Sequence, residues 1–195
     1  MKTKSMILLG IALSLIVSCN NSKKEEVIAK NETKIKVGDT SVERGKYLVT
    51  LMDCNTCHTP NIMTDQGPRP DMSRMLSGYP SDRPLPEFDG AIVSKGALFP
   101  HPDLTASMGP WGISFAGNLT PDVTGMGSWS LEQFSKAMRE GKFKGLEGSR
   151  PMLPPMPWMS YASLTDGDLE AIYNYLQSIP AIDNVVPNHI PPMVK

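Results

Sequence analysis

The chain has 195 residues, of which 40% are hydrophobic and 20% are charged, and its formal net charge is -1. This length and composition predict one globular domain with a sizeable core. The near-neutral charge and the lack of a basic stripe exclude nucleic acid as an expected partner. The 18 prolines and 16 glycines predict long irregular segments between a few helices.

The N-terminal residues 1–18 are typical of a bacterial lipoprotein signal peptide. Lys2 and Lys4 precede an apolar run over Met6–Val17, which is too short to span a bilayer comfortably. The run leads through Ile-Val-Ser to Cys19, which resembles a lipobox, so we expect Cys19 to be lipidated. An ordinary secretory signal cleaved nearby is the alternative, and both interpretations predict export. Removing Lys2 and Lys4 changes the side-chain net charge from -1 to -3.

Residues 19–41 are polar and charged and have no periodic apolar face. This composition predicts a flexible tether that lifts the domain off the membrane. The remaining residues, 42–195, are expected to form the domain.

A first helix is predicted from near Val42 to Cys54. Its apolar side chains share one helical face, formed by Tyr47, Leu48, Leu51 and Met52. Gly45 costs about 1 kcal/mol relative to alanine inside a helix, which indicates that another backbone approaches closely there.

Residues 54–58 read C-x-x-C-H, the attachment signature of a c-type haem. The thiols of Cys54 and Cys57 can add to the two vinyl groups of one haem. The next residue, His58, can then place its imidazole over the iron. The motif therefore predicts one covalently bound haem c, with His58 as an axial ligand.

A zinc site and a redox dithiol are the alternatives for this motif. Zinc requires a second ligand pair, and His101 and His189 do not have the usual spacing of one. A thioredoxin-like dithiol requires a βαβ setting, which the flanking pattern does not offer. Because Cys19 is assigned to lipid and the motif uses the other two cysteines, none remains for a disulfide.

Residues 59–127 contain ten prolines and little helical pattern, apart from one short turn predicted over Asp71–Gly78. We expect an ordered loop wrapped over the cofactor, and a disordered insertion is the alternative. Order is favoured because four aromatic side chains are interspersed and costly to expose, namely Phe88, Phe99, Trp111 and Phe115.

Two further helices are predicted in the C-terminal part of the chain. One covers Ser130–Glu140, with a capping box of Ser130 and Gln133 and a stop at Gly141. Its buried stripe consists of Phe134, Ala137 and Met138. The other begins at Thr165 and ends at Pro180, with an apolar face of Leu169, Ile172, Tyr173 and Leu176. The tail, 181–195, is expected to lie across the domain.

A methionine between these helices is the predicted second axial ligand. Met156 lies among three prolines, which make a stiff extended segment that can hold a weak thioether ligand at little entropic cost. Methionine is by default an adaptable apolar filler, and the chain has 13 of them. The alternatives are an open site or ligation by Met152, Met72, Met75, His101 or His189.

The order of helix, C-x-x-C-H, long loop, helix, methionine loop and helix resembles a monohaem class I cytochrome c domain. Two stretches extend this resemblance, GNLTPDVTGMGSWSLEQFSKAMREGK from Gly117 and LPPMPWMSYASLTDGDLEAIYNYLQSIP from Leu153. Both are similar to the cytochrome c domains of bacterial membrane-bound alcohol and aldehyde dehydrogenase cytochrome subunits. The resemblance implies an all-α cytochrome c fold, with few helices around one haem and long irregular loops. It also implies that Met156 is the distal ligand. The loop between His58 and Asn118 is longer than is usual, and such subunits carry three haem motifs.

The function expected from these features is one-electron transfer by a periplasmic, lipid-anchored cytochrome c. Its expected partners are redox proteins and the membrane, and it is expected to be neither an enzyme nor a binder of small-molecule substrates. One alternative is an electron-entry haem subunit of a dehydrogenase or oxidase complex. Another is a gas-binding haem protein with an open iron site.

Overall fold

The computed structural model of the protein describes residues 38–87, 93 and 95–192. The predicted signal peptide and the predicted lipid site, Cys19, lie outside the described residues, as do Phe88 and all of the tether before residue 38. Among the residues that are described, no helix has the length and hydropathy needed to cross a bilayer.

Five α-helices are described over their full length: α1 Val42–Leu51, α2 Cys54–His58, α3 Leu131–Glu140, α4 Trp158–Tyr161 and α5 Asp166–Ser178. The long segment between α2 and α3 contains two antiparallel sheets. In the first, β1 Asn61–Thr64 pairs with β2 Gly67–Pro70. In the second, β4 Ala106–Gly109 lies between β3 Phe99–Pro100 and β5 Gly112–Phe115.

The prediction of an all-α fold is therefore wrong, because helices and two sheets share this chain. These strands have at most four residues, and all except β1 contain glycine or proline, which are depleted in strands. Two-residue turns join β1 to β2 and β4 to β5, and Gly67 and Gly112 follow these turns with φ of 97° and 93°. Main-chain pairing of such short strands leaves no periodic side-chain pattern in the sequence.

The helical core forms where α1 packs against α5. Gly45 permits the contact, since a Cβ atom at this position would lie 1.9 Å from the carbonyl oxygen of Ala171. The close backbone approach predicted at Gly45 is confirmed. The buried core consists of Leu48, Val49, Leu76, Met126, Phe134, Met138, Leu169, Ala171, Ile172, Tyr175, Leu176 and Ile179.

The first predicted helix is interrupted before the haem motif. Helix α1 ends at Leu51, and Asp53 adopts the left-handed conformation with φ of 57° before α2 begins. The predicted apolar face is correct for Leu48 and wrong for Tyr47 and Leu51, which are exposed. The break at Asp53 lets α2 leave the direction of α1, so the haem motif has a short helix of its own.

Helices α3 and α5 begin where the capping residues predict. The hydroxyl of Ser130 accepts the N–H of Gln133, and the hydroxyl of Thr165 accepts the N–H of Asp168, both at 3.1 Å. The Gln133 side chain makes a different contact from the one that completes a capping box, since its Nε2 donates to the carbonyl oxygen of Lys144 at 2.8 Å. The predicted stripe of α3 is buried as expected.

Part of the described 59–127 segment is buried in the domain, whereas β1 and β2 are largely exposed. Tyr79 is fully buried, and a short 3-10 turn forms over Met72–Arg74 inside the predicted range. The tail also lies across the domain as expected. Ile190 exchanges backbone hydrogen bonds with Ile113 of β5, at 2.8 and 3.1 Å.

Candidate functional site

The two thiols of the C-x-x-C-H motif lie one turn apart on α2. Cys54 and Cys57 are both free and half-buried, and Cys54 packs against the helical core. Positions three apart share one side of a helix, so both sulfurs can reach the same group. Burial raises the pKa of the Cys54 thiol to about 11 and also raises the pKa of Cys57. Burial therefore favours the neutral form of both thiols.

His58, at the end of α2, is oriented by a backbone acceptor. Its Nδ1 lies 2.7 Å from the carbonyl oxygen of Gly117. A carbonyl oxygen only accepts, so this contact places the proton on Nδ1 and leaves the Nε2 lone pair free. Burial lowers the pKa of His58, against the opposite effect of the Gly117 hydrogen bond. The imidazole is therefore presented as a neutral nitrogen ligand, with its second nitrogen fixed.

The residue after the motif ties α2 to the following segment. Thr59 is buried, and its hydroxyl donates to the Asn55 side chain at 3.1 Å and accepts the N–H of Leu76 at 3.0 Å. The carbonyl of His58 itself accepts the N–H of Gly78 at 2.8 Å. These bonds hold the backbone on the C-terminal side of the histidine in place.

Backbone hydrogen bonds to the residues that follow α3 hold the start of the segment that contains Met156. The N–H of Met152 donates to the Gly141 carbonyl at 2.6 Å, and the N–H of Phe143 donates to the Arg150 carbonyl at 2.9 Å. Further along, the hydroxyl of Ser114 in β5 donates to the Pro154 carbonyl at 2.7 Å. The backbone around Met156 is thus anchored to the end of α3 and to the second sheet.

Met156 is half-buried and packs against the helical core, as Cys54 does. Among the alternative ligands, Met75 packs against the same core, whereas Met72 is 66% exposed. Met152 is half-buried and does not belong to that set of core neighbours.

The two histidine alternatives are engaged elsewhere. The Nδ1 atom of His101 pairs with the buried carboxylate of Asp103. The Nε2 atom of His189 lies 2.6 Å from the carbonyl oxygen of Trp111.

Tyr161 links α4 to the haem motif. Its hydroxyl donates to the carbonyl oxygen of Met52 at 3.2 Å. Burial raises the pKa of Tyr161, and the neighbouring Cys54, Cys57 and Asp53 raise it further. The helix that follows the methionine segment therefore lies beside the two thiols. Trp158, at the start of α4, packs its ring over Gly141.

Gly117 and Tyr161 contribute to this site and were not singled out from the sequence. Gly117 acts through its backbone carbonyl, which every residue type has, so no sequence signal identifies it. Tyr161 follows Met156 by five residues, and an aromatic next to a ligand segment is a weak indication at most.

The donor set fits a covalently attached haem better than a metal ion held by side chains alone. Two thiols on one helical turn and an imidazole whose Nδ1 is bound to a backbone carbonyl match the chemistry of haem attachment. Over the described ranges 38–87, 93 and 95–192, no group of three or more His, Cys, Asp or Glu side chains is placed to hold a metal ion.

Comparison with known proteins identifies the family. The family model described as Cytochrome c matches residues 42–180. The fructose dehydrogenase cytochrome subunit of Gluconobacter japonicus is 30% identical over 71% of this chain and 21% of its own length. The gluconate 2-dehydrogenase cytochrome c subunit of Pantoea cypripedii is 30% identical over 70% of this chain and 23% of its own length.

A third relative has the same degree of similarity. The alcohol dehydrogenase (quinone) cytochrome c subunit of Gluconobacter oxydans is 30% identical over 69% of this chain and 20% of its own length. The match therefore covers less than a quarter of each of these three relatives. Because the family match extends over most of the chain, the protein belongs to the cytochrome c family, whose cofactor is covalently bound haem c.

Proposed function

We propose that this protein is a membrane-anchored cytochrome that transfers single electrons through one covalently bound haem. Cys54 and Cys57 hold the haem by thioether bonds, and His58 and Met156 are its axial ligands. The observation that carries the proposal is the orientation of His58, whose Nδ1 is bound to the Gly117 carbonyl at 2.7 Å and whose Nε2 is free. When bound, the haem supplies reversible one-electron chemistry.

The protein's own residues keep the iron site constant during this exchange. The Gly117 carbonyl fixes the tautomer and orientation of His58, and the anchored backbone around Met156 limits the movement of the thioether. Two constant ligands keep reorganisation small when an electron arrives or leaves. The electron comes from a quinol-oxidising or dehydrogenase partner and passes to an oxidase or reductase, with no substrate bound by this chain.

Carbon monoxide distinguishes a carrier from an open-site haem protein. We expect one haem per chain by the pyridine haemochrome assay. We also expect no change in the ferrous spectrum on adding carbon monoxide at neutral pH, because both axial positions are filled. Ready binding of carbon monoxide to the unmodified protein would replace the carrier with an open-site function.

Lipidation of Cys19 is expected to anchor the protein on the exported side of the membrane, in the periplasm. Mass spectrometry of the mature N-terminus should find a diacylated Cys19 as the first residue. The Cys19→Ala variant should lose membrane partitioning. An unmodified N-terminus downstream of Cys19 would contradict the anchor and leave the haem assignment intact.

A role as electron-entry subunit of a larger enzyme is the second candidate. It is favoured by the names of the similar proteins, several of which are cytochrome subunits of dehydrogenases. Purification from native membranes under mild detergent separates the two roles. A dehydrogenase that remains bound in fixed ratio supports the subunit role, whereas a cytochrome that purifies alone supports the mobile carrier.

A further inference from the structure

The tail contacts the interior of the domain beyond the region that matches the family, which ends at residue 180. Asn184 in this tail is only 6% exposed. Its side chain binds the backbone of residues 77–81, which we call the clamped segment. Its Nδ2 donates to the carbonyl oxygens of Ser77 at 2.7 Å and Tyr79 at 3.0 Å. Its Oδ1 accepts the N–H of Ser81 at 2.8 Å.

The clamped segment in turn touches His58 and its acceptor. The N–H of Gly78 donates to the His58 carbonyl at 2.8 Å. A Cβ atom at Gly78 would lie 2.4 Å from the Ala116 oxygen and 2.6 Å from the Gly117 carbonyl carbon, so these backbones are in direct contact. The N–H of the next residue in the segment donates to the same Ala116 oxygen at 3.0 Å. The segment therefore lies between the backbone of His58 and the carbonyl that binds its ring.

The backbone on the far side of this carbonyl is bound by the tail as well. Asn118, which follows Gly117, donates through Nδ2 to the Ile182 carbonyl at 2.8 Å and to the Thr124 hydroxyl at 3.1 Å. The Thr124 hydroxyl also accepts the N–H of Asn184 at 3.0 Å. The position of the Gly117 carbonyl is thus determined from two sides by one short stretch of the tail.

We propose that Asn184 is a positioning residue that sets the reduction potential of the iron through His58. The inference rests on the proposed function, since it takes His58 as the iron ligand. By holding the clamped segment, Asn184 keeps the Gly117 carbonyl against Nδ1 of His58. A firm Nδ1–H hydrogen bond raises the basicity of the ligating Nε2, which favours ferric over ferrous iron. Loosening the clamp therefore raises the reduction potential.

The test compares Asn184→Ala with His189→Ala in the haem-loaded protein. His189 lies in the same tail, and its Nε2 lies 2.6 Å from the carbonyl oxygen of Trp111, in the turn between β4 and β5 and not in the clamped segment. At a fixed ambient potential, Asn184→Ala should lower the ferric-to-ferrous ratio by up to about tenfold, which is ~59 mV for one electron. It should also shift the NMR resonance of the His58 Nδ1 proton. His189→Ala should change neither.

The proposal is overturned if Asn184→Ala folds and its reduction potential and His58 Nδ1 resonance are the same as those of the His189→Ala control. If Asn184→Ala does not fold, Thr124→Val takes its place. This isosteric change removes the hydroxyl that accepts both the N–H of Asn184 and the Nδ2–H of Asn118, and it leaves the Asn184 amide side chain in place. The potential should then rise less, and an unchanged potential would again overturn the proposal. Failure of the proposed ligand pair is detected separately. Ferric haem with a methionine ligand has a weak absorption band in the far red, and the unmodified protein would lack this band if the pair were wrong.

Discussion

Replacing Cys54 and Cys57 together with serine should abolish covalent haem completely. Serine matches cysteine closely in shape, but its hydroxyl does not form the thioether bond with a haem vinyl group. The two sulfurs are half-buried on one side of α2, so the double change removes both attachment points with little disturbance of packing. The measurements are acid-acetone extraction and the intact mass of the protein, which should lack the haem increment.

Single variants and a neighbouring control make the result specific. Each single serine variant should keep haem through one thioether bond. Thr56→Ser lies inside the same motif, is exposed and keeps its hydroxyl, so it should retain fully covalent haem. Covalent haem that survives the double serine change would show that the attachment site lies elsewhere.

The helices that the sequence predicts well are those whose signals are local. Ser130 and Thr165 accept backbone N–H groups in the first turns of α3 and α5, and the apolar stripe of α3 is buried as its spacing predicts. A cap and a stripe lie within a few residues of each other, so they are visible without knowledge of the fold. The end of α1 was harder, because the left-handed turn at Asp53 has no comparable signal.

The two sheets have no signal in the sequence, because their stability comes from pairing between residues that are distant along the chain. The β5 residue Ile113 pairs with β4 and also with Ile190 of the tail. Strands as short as Phe99–Pro100 have no periodicity to detect, and proline argues against a strand in any local analysis. The resemblance to all-α cytochromes also favoured helices alone, and it could not describe a loop that is longer than is usual for such domains.

The candidate site divides in the same way between local and distant contributions. Residues 54–58 are recognisable from their spacing alone, since attachment chemistry requires that spacing. The acceptor of the His58 ring is a backbone carbonyl, and Asn184 reaches the site from the tail through main-chain atoms. Such contacts have no counterpart in side-chain pattern, so only the folded chain identifies them.

Replacing Met156 with alanine should remove the sixth ligand of the iron and change the redox behaviour of the protein. The ferric protein should lose its weak far-red iron–thioether band, and the ferrous protein should bind carbon monoxide. The reduction potential should fall by on the order of 0.1 V, a fraction of the ~0.8 V range that axial ligands set, because a thioether favours ferrous iron. Optical spectra and a redox titration measure all three effects.

Met152→Ala is the matched control for this change. Met152 is half-buried in the same proline-rich segment, and the contact that anchors it is a backbone hydrogen bond to the Gly141 carbonyl at 2.6 Å, which alanine retains. The Met152 variant should therefore keep the far-red band, the potential and the resistance to carbon monoxide. Any general loosening of the segment would affect both variants.

Met75→Ala is the third variant in this comparison, because Met75 packs against the same helical core as Met156. Met75 lies outside the proline-rich segment that the resemblance to the family matches to the distal ligand, so we expect the far-red band to survive its replacement. Loss of the band in the Met75 or Met152 variant, with retention in the Met156 variant, would transfer the ligand to that residue. The cytochrome c assignment would stand in that case, since it depends on the family match and not on which sulfur fills the sixth position.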